Sequence, residues 1–157
     1  MSGLHDFVLP ALEGPPIRFG AWAGAPVLLV AVPDRGAHAE RHRALEALWQ
    51  RFHGRGLRMV GLLSPPRIPV ACGSPADLTS VRHGPSFPIT APLELVGPAR
   101  HSLARWLTGP GSPFPGEPRA DFEKFLCDGG GRLVGRYPGA LEELAPELLA
   151  ALEVFLP

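Results

Sequence analysis

The two cysteines are the first residues to consider, because a thiolate is a strong nucleophile among protein side chains. Cys72 follows Ala71 in a loop and precedes a predicted helix that has Ser74 as its N-cap. Amide groups at a helix N-terminus lower the pKa of a thiol, so Cys72 is a candidate nucleophile, with an ordinary loop thiol as the alternative. Cys127 lies in the apolar segment 122–127, which predicts a buried structural thiol. Nothing in the sequence supports a disulfide between them.

Two histidines are spaced for one helix face. His38 and His42 stand four residues apart near the start of a predicted helix, and Asp34 is a carboxylate close by. Two histidines and one carboxylate fall short of a typical metal site, and the charged residues around them favour a solvated helix face. We therefore predict neither a metal nor a cofactor.

Three arginines surround the start of the same helix. Arg35, Arg41 and Arg43 lie where the helix dipole attracts negative charge, so they are candidates for binding an anion. The alternative is that they are ordinary surface arginines.

Composition excludes several classes of protein. The chain has 157 residues and no net charge, with 15 basic and 15 acidic side chains, which argues against a nucleic-acid clamp or a binder of anionic membranes. No apolar run reaches the length of about 20 residues that a membrane span needs. The first residues lack the pattern of a signal peptide, and two cysteines cannot form a disulfide framework. We therefore expect a cytoplasmic protein.

The first half of the chain predicts a hairpin and a βαβ unit. The runs 7–9 and 17–19 are separated by Glu-Gly-Pro-Pro, which indicates an N-terminal β-hairpin. The apolar runs 26–32 and 58–63 are typical of strands buried on both faces. Between them an apolar stripe at helical spacing predicts a helix; it consists of Leu45, Leu48, Trp49 and Phe52.

The second half predicts shorter elements. A short helix is expected at 75–82, another at 101–107, and a hairpin around Asp-Gly-Gly-Gly between 122 and 137. An amphipathic helix is predicted from Leu141 to Phe155. No repeat or domain boundary is visible, so residues 1–157 are expected to form one α/β domain with a mixed sheet and helices on both faces.

Several segments resemble the glutathione peroxidase family. Residues 121–128, DFEKFLCD, and residues 131–137, GRLVGRY, resemble that family's Trp-Asn-Phe-Glu-Lys-Phe-Leu strand and the hairpin after it. Residues 87–89, Phe-Pro-Ile, resemble its Phe-Pro segment, and residues 96–103 resemble its Asn-Gly-Pro-x-x-His-Pro-Leu helix start. Nearly the whole chain is covered. The resemblance implies a thioredoxin-like fold of the glutathione peroxidase type, with a mixed central sheet and an N-terminal β-hairpin.

At the family's catalytic positions the resemblance fails. The redox Cys or selenocysteine position falls at Gly36, the Gln at Pro66, and the Trp and Asn at Ala120 and Asp121. Peroxide reduction in this family requires a thiolate or selenolate that attacks the O–O bond. Loss of a nucleophile costs on the order of 10⁶ in kcat in a well-studied protease, so classical peroxidase activity is not expected.

Three hypotheses for function follow. The first is a non-catalytic binding or regulatory protein that keeps the family's cleft for a small thiol or an anionic ligand. The second is an enzyme with new chemistry in that cleft, carried by Asp34, Arg35, His38 and Asp121. The third is a thiol-dependent peroxidase or oxidoreductase that acts through Cys72. The resemblance implies a monomer or dimer, because the chain lacks the long loop between 107 and 122 that accompanies tetramers in the family.

Overall fold

The computed structural model describes residues 3–33, 39–64, 86–118 and 120–156. A four-stranded mixed sheet has the strand order β4-β3-β5-β6, and a separate antiparallel pair, β1-β2, stands at the N-terminus. The strands are β1 (Val8–Leu9), β2 (Ile17–Arg18), β3 (Val27–Pro33), β4 (Arg58–Ser64), β5 (Lys124–Cys127) and β6 (Leu133–Tyr137). The helices are α1 (Ala39–Phe52), α2 (Ser102–Thr108) and α3 (Pro146–Phe155).

Strand β3 is the centre of the sheet, as its continuous apolar run predicts. All of its residues are buried, and it pairs in parallel with β4, to which α1 connects it. On its other side it pairs antiparallel with β5, so that Val27 faces Cys127 and Val30 faces Lys124. The predicted hairpin joins β5 to β6, with Gly131 in the left-handed conformation at its turn. The predicted mixed sheet and N-terminal strand pair are thus confirmed.

The two faces of β3 belong to two separate cores, because successive side chains of a strand point to opposite faces. One core joins the even-numbered residues of β3 to α1 and α3, through side chains such as Leu45, Leu48, Leu148 and Leu152. The other joins the odd-numbered residues to α2 and the N-terminal segment, through Leu103, Leu107, Leu4 and Phe19. Helices therefore cover both faces, as expected.

Two element boundaries differ from the sequence prediction. Helix α3 begins at Pro146 and not at Leu141, because Pro146 takes the first helical position and residues 139–144 form turns; Leu144 is consequently 42% exposed. Strand β5 begins at Lys124 and not at Phe122, whose backbone φ of 64° cannot continue a strand.

Other predictions concern short segments. The side chain of His101 accepts a hydrogen bond from the Leu103 amide and caps α2, at the helix start that the resemblance indicated. Ile89 forms a bridge to Gly61 at the edge of β4, where a side chain on Gly61 would lie 2.5 Å from Ile89 Cδ1. The helix predicted at 75–82 lies outside the described residues. Within the described ranges no helix is long and apolar enough to cross a membrane.

Candidate functional site

The candidate site lies beside the end of β3, next to the segment that leads into β5. The Ala31 amide donates to the Glu123 carbonyl at 2.9 Å, and the Phe122 amide donates to the Ala31 carbonyl at 2.7 Å. These bonds hold the segment before β5 against the last residues of β3. Ala120 and Asp121, two of the four positions that the resemblance assigned to catalysis, are therefore placed at this edge, and both are partly buried.

Of the other residues that the sequence predicts for a functional site, some lie within the described ranges and some lie outside them. Gly36, Pro66, Cys72, Asp34, Arg35 and His38 all lie outside the described residues. Arg43 is exposed on α1. His42 packs its ring against Phe122, with ring centroids 5.6 Å apart. No group of three or more metal-ligating side chains occurs in the part of the chain that the structure describes.

Phe122 is held in an unusual backbone conformation. It is 2% exposed, and its φ of 64° lies in the left-handed region, which costs a non-glycine residue about 1 kcal/mol or more. The Arg41 guanidinium lies 4.4 Å from the centre of its ring, within the range of a cation–π contact. The Phe122 carbonyl accepts a hydrogen bond from Lys124 Nζ at 2.8 Å. Surrounding contacts therefore stabilise a turn that places Asp121 at the edge of the site.

Arg41 has a different role from the one the sequence suggested. Its Nε and Nη2 atoms donate to the two carboxylate oxygens of Glu143, each at 2.7 Å, and Nη2 also donates to the Gly139 carbonyl at 2.6 Å. A bidentate arginine–carboxylate pair is a strong, directional contact. Arg41 therefore joins the start of α1 to the turn before α3.

Lys124 completes a buried charge cluster that we call the Glu143 cluster, consisting of Arg41, Lys124 and Glu143. Lys124 Nζ lies 2.8 Å from Glu143 Oε2, and it also donates to the carbonyls of Phe122 and Leu141. The Lys124 and Glu143 side chains are 0% and 1% exposed. All three donors of the ammonium group are used, so the cluster satisfies its charges within the fold.

Sequence reasoning missed Lys124 and Glu143. One signal was available: Lys124 is the only lysine in the chain, and it interrupts an apolar strand. Glu143 carried no signal, since its partner Arg41 lies 102 positions away in the sequence.

The pKa values of the cluster follow from burial and pairing. Burial by itself would raise the pKa of Glu143, but hydrogen bonds and charges from Arg41 and Lys124 outweigh it and hold that pKa below its ordinary 4.5. Burial lowers the pKa of Lys124, although pairing with Glu143 opposes that shift.

A pH dependence of stability is expected from Glu143. Because its pKa is lower in the folded chain, the carboxylate stabilises the fold above its ordinary pKa of 4.5, and this contribution is lost as pH falls through the folded value. We expect the free energy of unfolding to drop as pH falls below about 4.5. Denaturant titration at several pH values measures it. A Glu143→Gln variant should show a smaller drop, and an equal drop in both proteins would contradict this assignment.

Gly139 packs closely against Ala120 and Asp121. A Cβ at Gly139 would collide with the Asp121 carbonyl oxygen and would lie 3.0 Å from Ala120 Cβ. We expect Gly139→Ala to destabilise the fold by about 1–3 kcal/mol through overpacking against the backbone. Gly54→Ala is the matched control, because nothing lies within 4 Å of a Cβ there. Equal free energies of unfolding for the two variants would show that this contact is not tight.

Cys127 is unsuited to act as a nucleophile. Its side chain is 0% exposed in the sheet, and burial raises the pKa of its thiol to about 12, with a smaller contribution from Asp128. This confirms the prediction of a buried structural thiol. An inaccessible, protonated thiol reacts slowly with peroxides and disulfides.

The two thiols are expected to differ in labelling. A maleimide should react with Cys72 in the native protein, as its loop position predicts, and with Cys127 only in denaturant. Mass spectrometry of peptides after labelling distinguishes them. Native labelling of Cys127 at the rate of Cys72 would show that Cys127 is not buried. Labelling of Cys127 alone would show that the accessible thiol is Cys127 and not Cys72.

Comparison with known proteins supports a relationship across most of the chain. No family model matches the sequence. The chain is 29% identical over 144 residues to a hydroperoxy fatty acid reductase from Synechocystis, which covers 85% of each protein. It is 27% identical over 163 residues to the glutathione peroxidase-like peroxiredoxin HYR1 of Saccharomyces cerevisiae, with 98% of this chain and all of the relative covered.

Solved structures establish the fold. The chain superposes on Trgpx in its apo form with a TM-score of 0.77 at 20% identity, covering 99% of this chain and 96% of the other. It superposes on T. cruzi GPX1 with a TM-score of 0.74, also at 20% identity, covering 98% and 96%. Taken with the sequence relatives, these superpositions show a thioredoxin-like fold of the glutathione peroxidase type in a chain that is similar to glutathione peroxidases over most of its length.

Proposed function

We propose that this family member no longer reduces hydroperoxides and acts as a binding or regulatory protein. The observation that carries the proposal is the placement of Ala120 and Asp121 beside the end of β3. Ala120 supplies a methyl group and Asp121 a carboxylate at the positions where the family that the chain resembles has the indole of Trp and the neutral amide of Asn. Gly36 and Pro66, at the other two catalytic positions, supply neither a nucleophile nor a side-chain donor.

The physical argument concerns the charge that forms during peroxide reduction. A thiolate attacks one peroxide oxygen, and the leaving oxygen must be stabilised by hydrogen-bond donors already in place. A carboxylate at position 121 offers no donor when ionised, and it opposes a negative thiolate nearby. The residue types at this edge therefore work against the chemistry that the relatives' names describe.

The binding role that we propose uses the first turns of α1 and the residues before it. Arg41 is engaged by Glu143, so an anionic ligand at this site would be held by Arg43, which is exposed, and by Arg35. A small thiol with carboxylate groups, such as glutathione, fits that charge. Its thiol would find no partner thiol at Gly36, so it would be bound and not oxidised there.

The binding role is tested by calorimetric titration with glutathione and with S-methylglutathione. We expect both to bind, since the arginines recognise carboxylates and not the thiol. The double variant Arg35→Gln with Arg43→Gln should weaken binding about tenfold or more. Arg51→Gln, an exposed arginine near the end of α1, is the control and should bind as the unmodified protein does. Binding that is absent, or that the double variant leaves unchanged, would refute this role.

The second candidate function is thiol-dependent peroxidase or oxidoreductase activity through Cys72, and the burial of Cys127 leaves Cys72 as the thiol that would carry it. Since the Cys127 thiol is inaccessible, any thiol chemistry of this chain would depend on Cys72. A thiol-dependent peroxidase acting through Cys72 would consume hydroperoxide, and Cys72→Ser would abolish that activity while Cys127→Ser would not. Hydroperoxide consumption by these two variants therefore separates this candidate from the binding role.

A further inference from the structure

A cleft of about 770 Å³ lies where α2, the N-terminal segment and the β5–β6 turn meet. Its size falls within the range of about 300–1,000 Å³ that small-molecule sites occupy. The lining combines apolar surface with a few charged groups, and it includes Trp106, Leu133, Arg105, Arg132 and Asp6.

This cleft is distant from the family's catalytic positions. Cys127 pairs with Val27 at the beginning of β3, and the β5–β6 turn at one wall of the cleft follows directly after Cys127. Ala120 and Asp121 lie beside the other end of β3. A strand of seven residues spans about 20 Å, so the two regions stand at opposite ends of the central strand.

The lining of the cleft is largely apolar. Trp106 is partly buried and packs against Phe7, with ring centroids 5.8 Å apart, so its indole is fixed by the fold. Leu133 is 8% exposed. Gly111 and Gly130 also line the cleft and contribute backbone without side chains. Such a surface favours a planar apolar group, because aromatic rings gain from stacked or edge contacts.

Arg105 contributes a positive charge to the lining of the cleft. Its Nη2 donates to the Pro98 carbonyl at 2.6 Å, and it has no carboxylate partner among the described residues. Two further charged residues line the cleft: Arg132 pairs with Asp128 at 3.1 Å, and the Asp6 carboxylate accepts a hydrogen bond from the Gly3 amide at 3.0 Å. Arg105 therefore retains donors that could bind a carboxylate or sulfonate.

From this juxtaposition we infer that the cleft is a binding site for a small planar aromatic anion. The ring system lies along Trp106 and Leu133, and the anionic group meets Arg105. The inference is independent of the function proposed above, because it uses none of the residues near Ala120 and Asp121.

The test uses 2-naphthoate as the probe and neutral 2-naphthamide as its uncharged counterpart. Calorimetry gives the affinity, and the NMR signal of the Trp106 indole N–H, assigned with Trp106→Phe, gives the location. We expect 2-naphthoate to bind at least tenfold more tightly than the amide and to shift the Trp106 signal. Arg105→Gln should reduce the affinity for 2-naphthoate about tenfold or more and leave the amide unaffected.

Arg18→Gln is the matched control, because Arg18 is an exposed arginine on β2 that lines a different, smaller cleft. It should bind 2-naphthoate as the unmodified protein does. The inference is overturned if the folded protein does not bind 2-naphthoate at millimolar concentration, if acid and amide bind equally, or if Arg105→Gln and Arg18→Gln have the same effect. Binding without a shift of the Trp106 signal also overturns it.

Discussion

Replacing Glu143 with alanine is expected to destabilise the fold by about 3–5 kcal/mol. The substitution leaves the Lys124 ammonium group, whose side chain is 0% exposed, without its carboxylate, and it frees the Arg41 guanidinium. Removing one partner of a buried pair is costly because the remaining charge has neither water nor a counter-ion. The free energy of unfolding from urea titration measures the loss.

A control of the same chemistry is available on the surface. Glu153 pairs with Arg55 at 2.7 Å, but the two side chains are 47% and 43% exposed. Exposed pairs contribute little because water screens their charges, so Glu153→Ala should change stability little. Similar losses for Glu143→Ala and Glu153→Ala would show that the Glu143 cluster does not hold α1, β5 and the turn before α3 together.

The second large effect concerns restoration of peroxidase chemistry. Gly36→Cys alone is expected to remain at least about a hundredfold slower in peroxide consumption than the quadruple variant that adds Pro66→Gln, Ala120→Trp and Asp121→Asn. Removing preorganised donors typically costs 10²–10³ in kcat, and Asp121 adds a repulsive charge beside a thiolate. The measurement is the second-order rate of hydrogen peroxide consumption by each folded variant.

The structure adds a requirement to that experiment. Ala120 lies close to Gly139, where even a methyl group would meet the Asp121 carbonyl, so the Trp substitution must be checked for folding by circular dichroism. If the rate of peroxide consumption by Gly36→Cys alone approaches that of the quadruple variant, the missing donors contribute little to the rate. If the folded quadruple variant stays inert, the catalytic positions have been assigned to the wrong residues.

Most of the fold could be predicted from local patterns. The buried strands β3 and β4 are continuous apolar runs, and α1 carries its stripe at helical spacing, so each element is encoded within a short stretch. The start of β5 could not be predicted, because Phe122 adopts its left-handed backbone through contacts with Arg41 and Lys124. Those contacts arise only in the folded chain.

The candidate site was predicted less completely, because some of its contacts join residues that lie far apart in the sequence. Ala120 and Asp121 followed from a motif, whereas the role of Arg41 depends on Glu143 at the far end of the sequence. A helix N-terminus with three arginines indicates an anion site when read locally. Only the tertiary structure reveals that a carboxylate of the same chain already occupies one of the three.

The most direct test of the central claim is consumption of hydrogen peroxide and of a fatty acid hydroperoxide by the unmodified protein, with glutathione or thioredoxin as reductant. We predict a rate equal to the buffer blank, since the chain has no thiol at Gly36 and no donors at Pro66, Ala120 and Asp121. Sustained turnover of either hydroperoxide would contradict the claim. If that turnover persisted in the Cys72→Ser, Cys127→Ser double variant, it would refute the catalytic argument altogether, and if Cys72→Ser alone abolished it, the protein would be a peroxidase that acts through Cys72.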